Sequence, residues 1–114
     1  MNPELKAAIR TLREASRKGG AAIWAALADE LDKAKRRRTA VNLSRINRHS
    51  EAGDIVAVPG KVLAAGSLTH PVTVAAFSFS DTARRKIALA EGRALTLTQL
   101  LAEGVEPSRI KIVK

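Results

Sequence analysis

The amino-acid sequence predicts an α/β fold: an N-terminal helical hairpin followed by a small, largely parallel sheet with packed helices. Three observations carry this. Residues 1–35 repeat apolar side chains at helical intervals, broken once by Gly19-Gly20. Val72–Phe79 (VTVAAFSF) is a β-branched run with apolar residues on both faces, as in a strand covered from both sides. From there on, strand-like and helix-like segments alternate, the order expected of parallel strands joined by helices. A chain of 114 residues has room for one domain and one modest core. The hairpin takes residues 1–35 of it and the α/β core residues 36–114.

Asn2 and Pro3 make a helix start, an amide cap followed by a ring at the first helical position. Leu5, Ala8, Ile9, Leu12 and Ala15 then recur on one face, with Lys6, Arg10, Arg13 and Arg17 on the flanks. Arg17-Lys18-Gly19-Gly20 stops the helix, cations at the negative end of the dipole and then glycine. A second helix runs from about Ala21 to Lys35, with Ile23, Leu27 and Leu31 at four-residue intervals and Trp24 and Ala28 beside them. Asp29, Glu30 and Asp32 are its exposed acids. Trp24 reads as an anchor between the helices or under the sheet, with stacking on a nucleic-acid base as the alternative.

Val41, Leu43 and Ile46 alternate with polar residues as in a strand with one face in the core. His49–Asp54 is a polar turn, Asp54–Val58 a short strand, and Pro59-Gly60 a tight turn. Lys61–Leu63 returns to the core, and Ala64–Ser67 is a pliable loop. His70-Pro71 breaks the chain before the strand Val72–Phe79. Ser80 caps the next helix, whose core face is Ala83, Ile87 and Ala90 and whose end is Gly92. Arg93–Leu95 is a short strand. Thr96–Gln99 is a capping box for a small helix ending near Glu103 and Gly104. After Pro107-Ser108 comes a last strand, Arg109–Val113.

The charge is concentrated in one place. Between Lys33 and Ser50 the chain carries seven Lys or Arg and no acid. The run opens with Lys35, Arg36, Arg37 and Arg38. It continues with Asn42, Ser44, Arg45, Asn47 and Arg48. On a strand, those polar side chains would form a ladder of donors about 7 Å apart, a match for a phosphodiester backbone. Arg outnumbers Lys in the run, which favours bidentate phosphate contacts. With aromatics at 3%, recognition should be of RNA shape and backbone rather than of splayed-out bases.

Composition points the same way. The formal charge of +9 and pI near 10.9 call for a polyanionic partner. The absence of Cys removes disulfides, thiolate metal sites and thiol nucleophiles, and fits a cytoplasmic protein. No apolar run approaches the roughly 20 residues of a membrane span. Two separated histidines suggest no metal site, and Ser50 beside His49 is a turn dipeptide rather than a nucleophile. The turn Ser78-Phe79-Ser80-Asp81 has no glycine and carries an acid, so it is a poor phosphate loop.

The stretch NLSRINRHSEAGDIVAVPGKVL, with VTVAAFSFS further on, resembles the archaeal and eukaryotic large-subunit ribosomal protein family L eighteen-e, relative of the L fifteen family. The resemblance spans nearly the whole chain, and the short length looks archaeal. It departs from the pattern at Ala64-Ala65, where a glycine is expected, and at His49, where an aromatic is common. The resemblance implies a non-enzymatic structural constituent of the large subunit, without cofactor, metal or small-molecule substrate. Its partners would be large-subunit rRNA and neighbouring ribosomal proteins, and outside the ribosome it would be a monomer. It places rRNA contact on Arg36, Arg37, Arg38, Asn42, Ser44, Arg45, Asn47, Arg48 and Lys61, to which the charge run adds Lys35. The alternative is a free nucleic-acid-binding or chromatin-associated basic protein using the same face.

Overall fold

The first helix begins and ends where Asn-Pro and Gly-Gly dictate. The computed structural model describes residues 2–33 and 39–114. In α1 (Pro3–Gly19) the Asn2 Oδ1 accepts from the backbone N–H of Glu4 at 2.7 Å and of Leu5 at 3.4 Å. Gly20, at φ +77°, closes the helix by donating its N–H to the Ser16 carbonyl at 2.8 Å. The second helix, α2 (Ala22–Leu31), packs back against it and ends short of the expected Lys35. Leu5, Ile9 and Leu12 meet Trp24, Leu27, Ala28 and Leu31 in one cluster. Trp24 is only 5% exposed, so it is an anchor and not a stacking platform.

The five strands β1 (Thr39–Asn42), β2 (Ile55–Leu63), β3 (Thr73–Phe79), β4 (Arg93–Thr96) and β5 (Ile110–Ile112) form one parallel sheet. The order is β1-β2-β3-β4, so β3 is interior, as its two-sided apolar pattern requires. One edge of β2 is shared: β5 pairs with Ile55–Ala57 and β1 with Gly60–Leu63. The connecting helices are α3 (Leu43–Arg48), α4 (Asp81–Leu89) and α5 (Leu97–Ala102). Ser80 caps α4 through its Oγ, and Thr96 with Gln99 completes the expected capping box of α5. A single 3₁₀ turn, Pro107–Arg109, precedes β5, so the last strand is shorter than the sequence suggests.

Alternation along β2 and β3 produces two cores rather than one. Ala57 and Ala75 face α1, α2 and α5. Val56, Val58, Val62, Val74 and Ala76 face α3 and α4. The result is a three-layer sandwich in which the small Ala pair lets the helical hairpin lie close to the sheet.

Two expectations fail here for identifiable reasons. Pro59-Gly60 is not a turn. It lies within β2, at the irregularity where pairing with β3 shifts between Val58 and Lys61. Proline cannot donate to a ladder, and a bulge is where a sheet interior tolerates it. Gly60 lies opposite Thr39, and a Cβ there would come 1.9 Å from the Thr39 carbonyl oxygen. The glycine is needed for the close approach of β1. The second failure is the strand over residues 41–48, and it reshapes the site.

Candidate nucleic-acid interface

The chain is extended only through Asn42 and then turns helical as α3. The apolar spacing contains the signal: two residues from Val41 to Leu43, but three from Leu43 to Ile46, both of which are fully buried. A strand would have required the next apolar residue at position 45, which is Arg. The side chains at 42–48 therefore form no ladder. Ser44, Arg45 and Arg48 lie on the exposed side of α3, and Asn42 and Asn47 are half-buried.

The two asparagines also bond within the fold. Asn42 Oδ1 accepts from the Ala65 N–H at 3.2 Å. Asn47 Oδ1 accepts from both the N–H and the hydroxyl of Thr69 at 3.0 Å. The Ser44 N–H donates to the Ala65 carbonyl at 3.1 Å. From the other side, Lys86 Nζ of α4 donates to the Ala64 and Gly66 carbonyls, each at 2.9 Å. Residues 64–69 are thus strapped between α3 and α4, not pliable. Gly66, at φ +87°, leaves room for Ser44, whose Cβ would lie 2.5 Å from an added methyl.

Arg45 is held at one edge: its Nε donates to the Lys114 carbonyl at 3.1 Å. Arg45, His49, Lys111 and Lys114 line a shallow groove of about 560 Å³ with Ile112 and Val113. Lys111 and Lys114 escaped the sequence reading because they belong to the end of the chain and reach α3 only through the pairing of β5 with β2. Both also bind acids: Lys111 Nζ lies 2.7 Å from Asp54, and Lys114 Nζ 2.6 Å from Glu30. Each carboxylate is held below its ordinary pKa, Asp54 chiefly by Lys111 and Glu30 chiefly by Lys114. Among the described residues, neither Arg48 nor Lys61 has an acidic partner. Lys61 is exposed on β2 next to Val62, which is buried on the α3 side. Strand alternation therefore turns Lys61 to the opposite face. Lys35, Arg36, Arg37 and Arg38 lie outside the described residues.

Ser50 and His70 do meet, with Oγ 3.0 Å from Nε2. The Ser50 hydroxyl already donates to the Ile46 carbonyl at 2.6 Å, so toward His70 it is an acceptor. A nucleophile would need to give that proton to the imidazole. The contact instead ties the end of α3 to the strapped loop.

An α/β scaffold carrying exposed arginines on a short, rigidly seated helix defines a small basic α/β protein. Residues 2–109 match the family model described as ribosomal protein 60S L18 and 50S L18e, and the chain belongs to that family. Its relatives include the large ribosomal subunit protein eL18 of Methanothermobacter thermautotrophicus, 50% identical over 99% of this chain and 93% of the relative. The same-named protein of Methanococcus maripaludis is 45% identical over 98% of this chain and 93% of its own. That of Methanosphaerula palustris is 42% identical over 99% and 93%. These relatives are named as ribosomal proteins, not enzymes.

Proposed function

We propose that this chain, acting over residues 1–114 as one unit, is a structural constituent of the large ribosomal subunit that binds and stabilises large-subunit rRNA. The observation that carries the reading is the seating of α3. Its apolar face is locked in the core while Arg45 and Arg48 are presented to solvent. Guanidinium groups on a rigid element lose little freedom on meeting a phosphate. The contacts are assigned to Lys35, Arg36, Arg37 and Arg38, which precede β1 in the sequence, to Ser44, Arg45 and Arg48 on α3, and to Lys61 on the other face of β2. Asn42 and Asn47 spend their carbonyl oxygens on residues 64–69, so they position the surface and have only amide N–H groups left for RNA. Membership of the L18e family supplies the partner class, rRNA with neighbouring ribosomal proteins around it. The chain is a monomer until it assembles.

The test is the salt dependence of binding to large-subunit rRNA fragments. Arg45→Ala and Arg48→Ala should each flatten the slope of log affinity against log salt by about 0.7–0.9. Arg93→Ala is the control, since Arg93 is occupied by Glu103 at the far end of the sheet. A slope indifferent to both α3 arginines would sink the reading. Equal affinity for duplex DNA of the same length would favour a chromatin-type protein instead.

A further inference from the structure

Among the described residues, a row of cations on α1 lies outside α3 and its surroundings. Lys6, Arg10, Arg13 and Arg17 are all exposed on α1. At about 100° per residue they fall within an arc of about 60° and span about 16 Å of the helix axis. The acids of α1, Glu4 and Glu14, lie outside that arc. The stripe borders a groove of about 880 Å³ between α1 and α2, floored by Ile9, Ser16 and Ala25. One acid, Asp32, lines the groove; with Asp29 it engages Arg13, at 3.1 Å and 3.2 Å. Lys6, Arg10 and Arg17 have no acidic partner among the described residues. The hairpin covers the Ala57 and Ala75 face of the sheet, whereas α3 covers the Val56 and Val74 face.

We propose that the groove between α1 and α2 is a second phosphate-backbone-binding surface, on the other side of the sheet from α3, so that one chain joins two separate segments of rRNA. The inference rests on the reading of this chain as an rRNA-binding protein. A row of cations at successive helical turns, about 4.5–6 Å apart along the axis, follows a sugar-phosphate strand laid along the groove. Ordered exposed cations of this kind add affinity through counterion release and carry no base specificity. Asp29 and Asp32 hold Arg13 in place while the groove is empty and compete with phosphate for it.

Two variants and two readouts test this. Lys6→Ala, Arg10→Ala and Arg17→Ala combined should flatten the salt slope for an rRNA fragment by about two to three units. In a capture assay, wild-type protein bound to an immobilised rRNA hairpin should retain a second, labelled hairpin, and the triple variant should not. Asp29→Asn with Asp32→Asn should act in the opposite direction, tightening capture of the second hairpin as Arg13 is released. This second variant decides the matter even if the triple variant folds poorly. If Arg45→Ala and Arg48→Ala flatten the slope while the groove variants change neither slope nor capture, the second surface is overturned and the first stands. If none of the variants moves the slope, the rRNA-binding reading falls and this inference with it. Loss of binding to polyglutamate in the triple variant, with RNA capture intact, would overturn the proposal in favour of an acidic protein partner.

Discussion

Gly60 shows how much a single residue can carry. It sits in the interior of β2, opposite Thr39, with room for a hydrogen but not a methyl, since a Cβ would lie 1.9 Å from the Thr39 carbonyl oxygen. Gly60→Ala must push β1 away from the sheet edge, and overpacking of this kind costs about 1–3 kcal/mol, occasionally more. Chemical denaturation should report a loss at the top of that range with an unchanged denaturant dependence. Because α3 follows β1 directly, the same substitution should weaken rRNA binding without removing any charge. A stability unchanged within about 0.5 kcal/mol would mean that β1 is not anchored through this contact.

The short helix α3 and residues 64–69 behave as one element. Asn47 contributes an oxygen to two donors of the exposed Thr69, and an apolar replacement would leave the N–H to water and the hydroxyl to water or His70. Asn47→Ala should cost about 0.5–1.5 kcal/mol. It should also accelerate hydrogen exchange at the Thr69 amide ahead of the amides of β2 and β3. In rRNA binding the variant should lose affinity while keeping the wild-type salt slope, the opposite of the pattern expected for Arg48→Ala. A slope that fell by nearly a full unit would make Asn47 a phosphate contact after all.

Across the whole molecule, Glu30 ties the C-terminus to the hairpin. Its side chain is 15% exposed and receives Lys33 at 2.8 Å and Lys114 at 2.6 Å. Lys114, first of the two, and Lys33 hold the carboxyl below its ordinary pKa of 4.5, against a smaller opposing effect of burial. A depressed carboxyl stabilises the folded state fully above its ordinary pKa, and that contribution is lost as pH falls through the folded-state value. Thermal unfolding should therefore show a stability loss beginning below about pH 4.5. In Glu30→Gln that part of the loss should be absent, with a lower midpoint at neutral pH and a smaller gap between the two proteins in acid. Parallel curves at all pH values would show that the lock contributes nothing.

The sequence alone determined whatever depends on neighbours along the chain. The caps at Asn2, Ser80 and Thr96, the glycine stop at Gly20 and the apolar stripes of α1 and α2 are local chemistry, and each is read within a few residues. The alternation of strands and helices after Val72 was legible for the same reason, and with it the α/β class. The family signature and the basic run were likewise linear features. Only the tertiary structure decided where those features point. Leu43 and Ile46 are helical because the core beneath β1 accepts residues three apart, and a period read from polar and apolar letters alone slid past that switch. Pro59-Gly60 continues a strand because a bulge and a neighbouring backbone use its missing donor and missing side chain. Arg45 bonds the Lys114 carbonyl and shares a groove with Lys111, and the cations of α1 come to line a groove with α2, because strand pairing and helix packing bring together residues far apart in the chain. Local rules specify each element, but which face it shows to solvent is set by what it packs against.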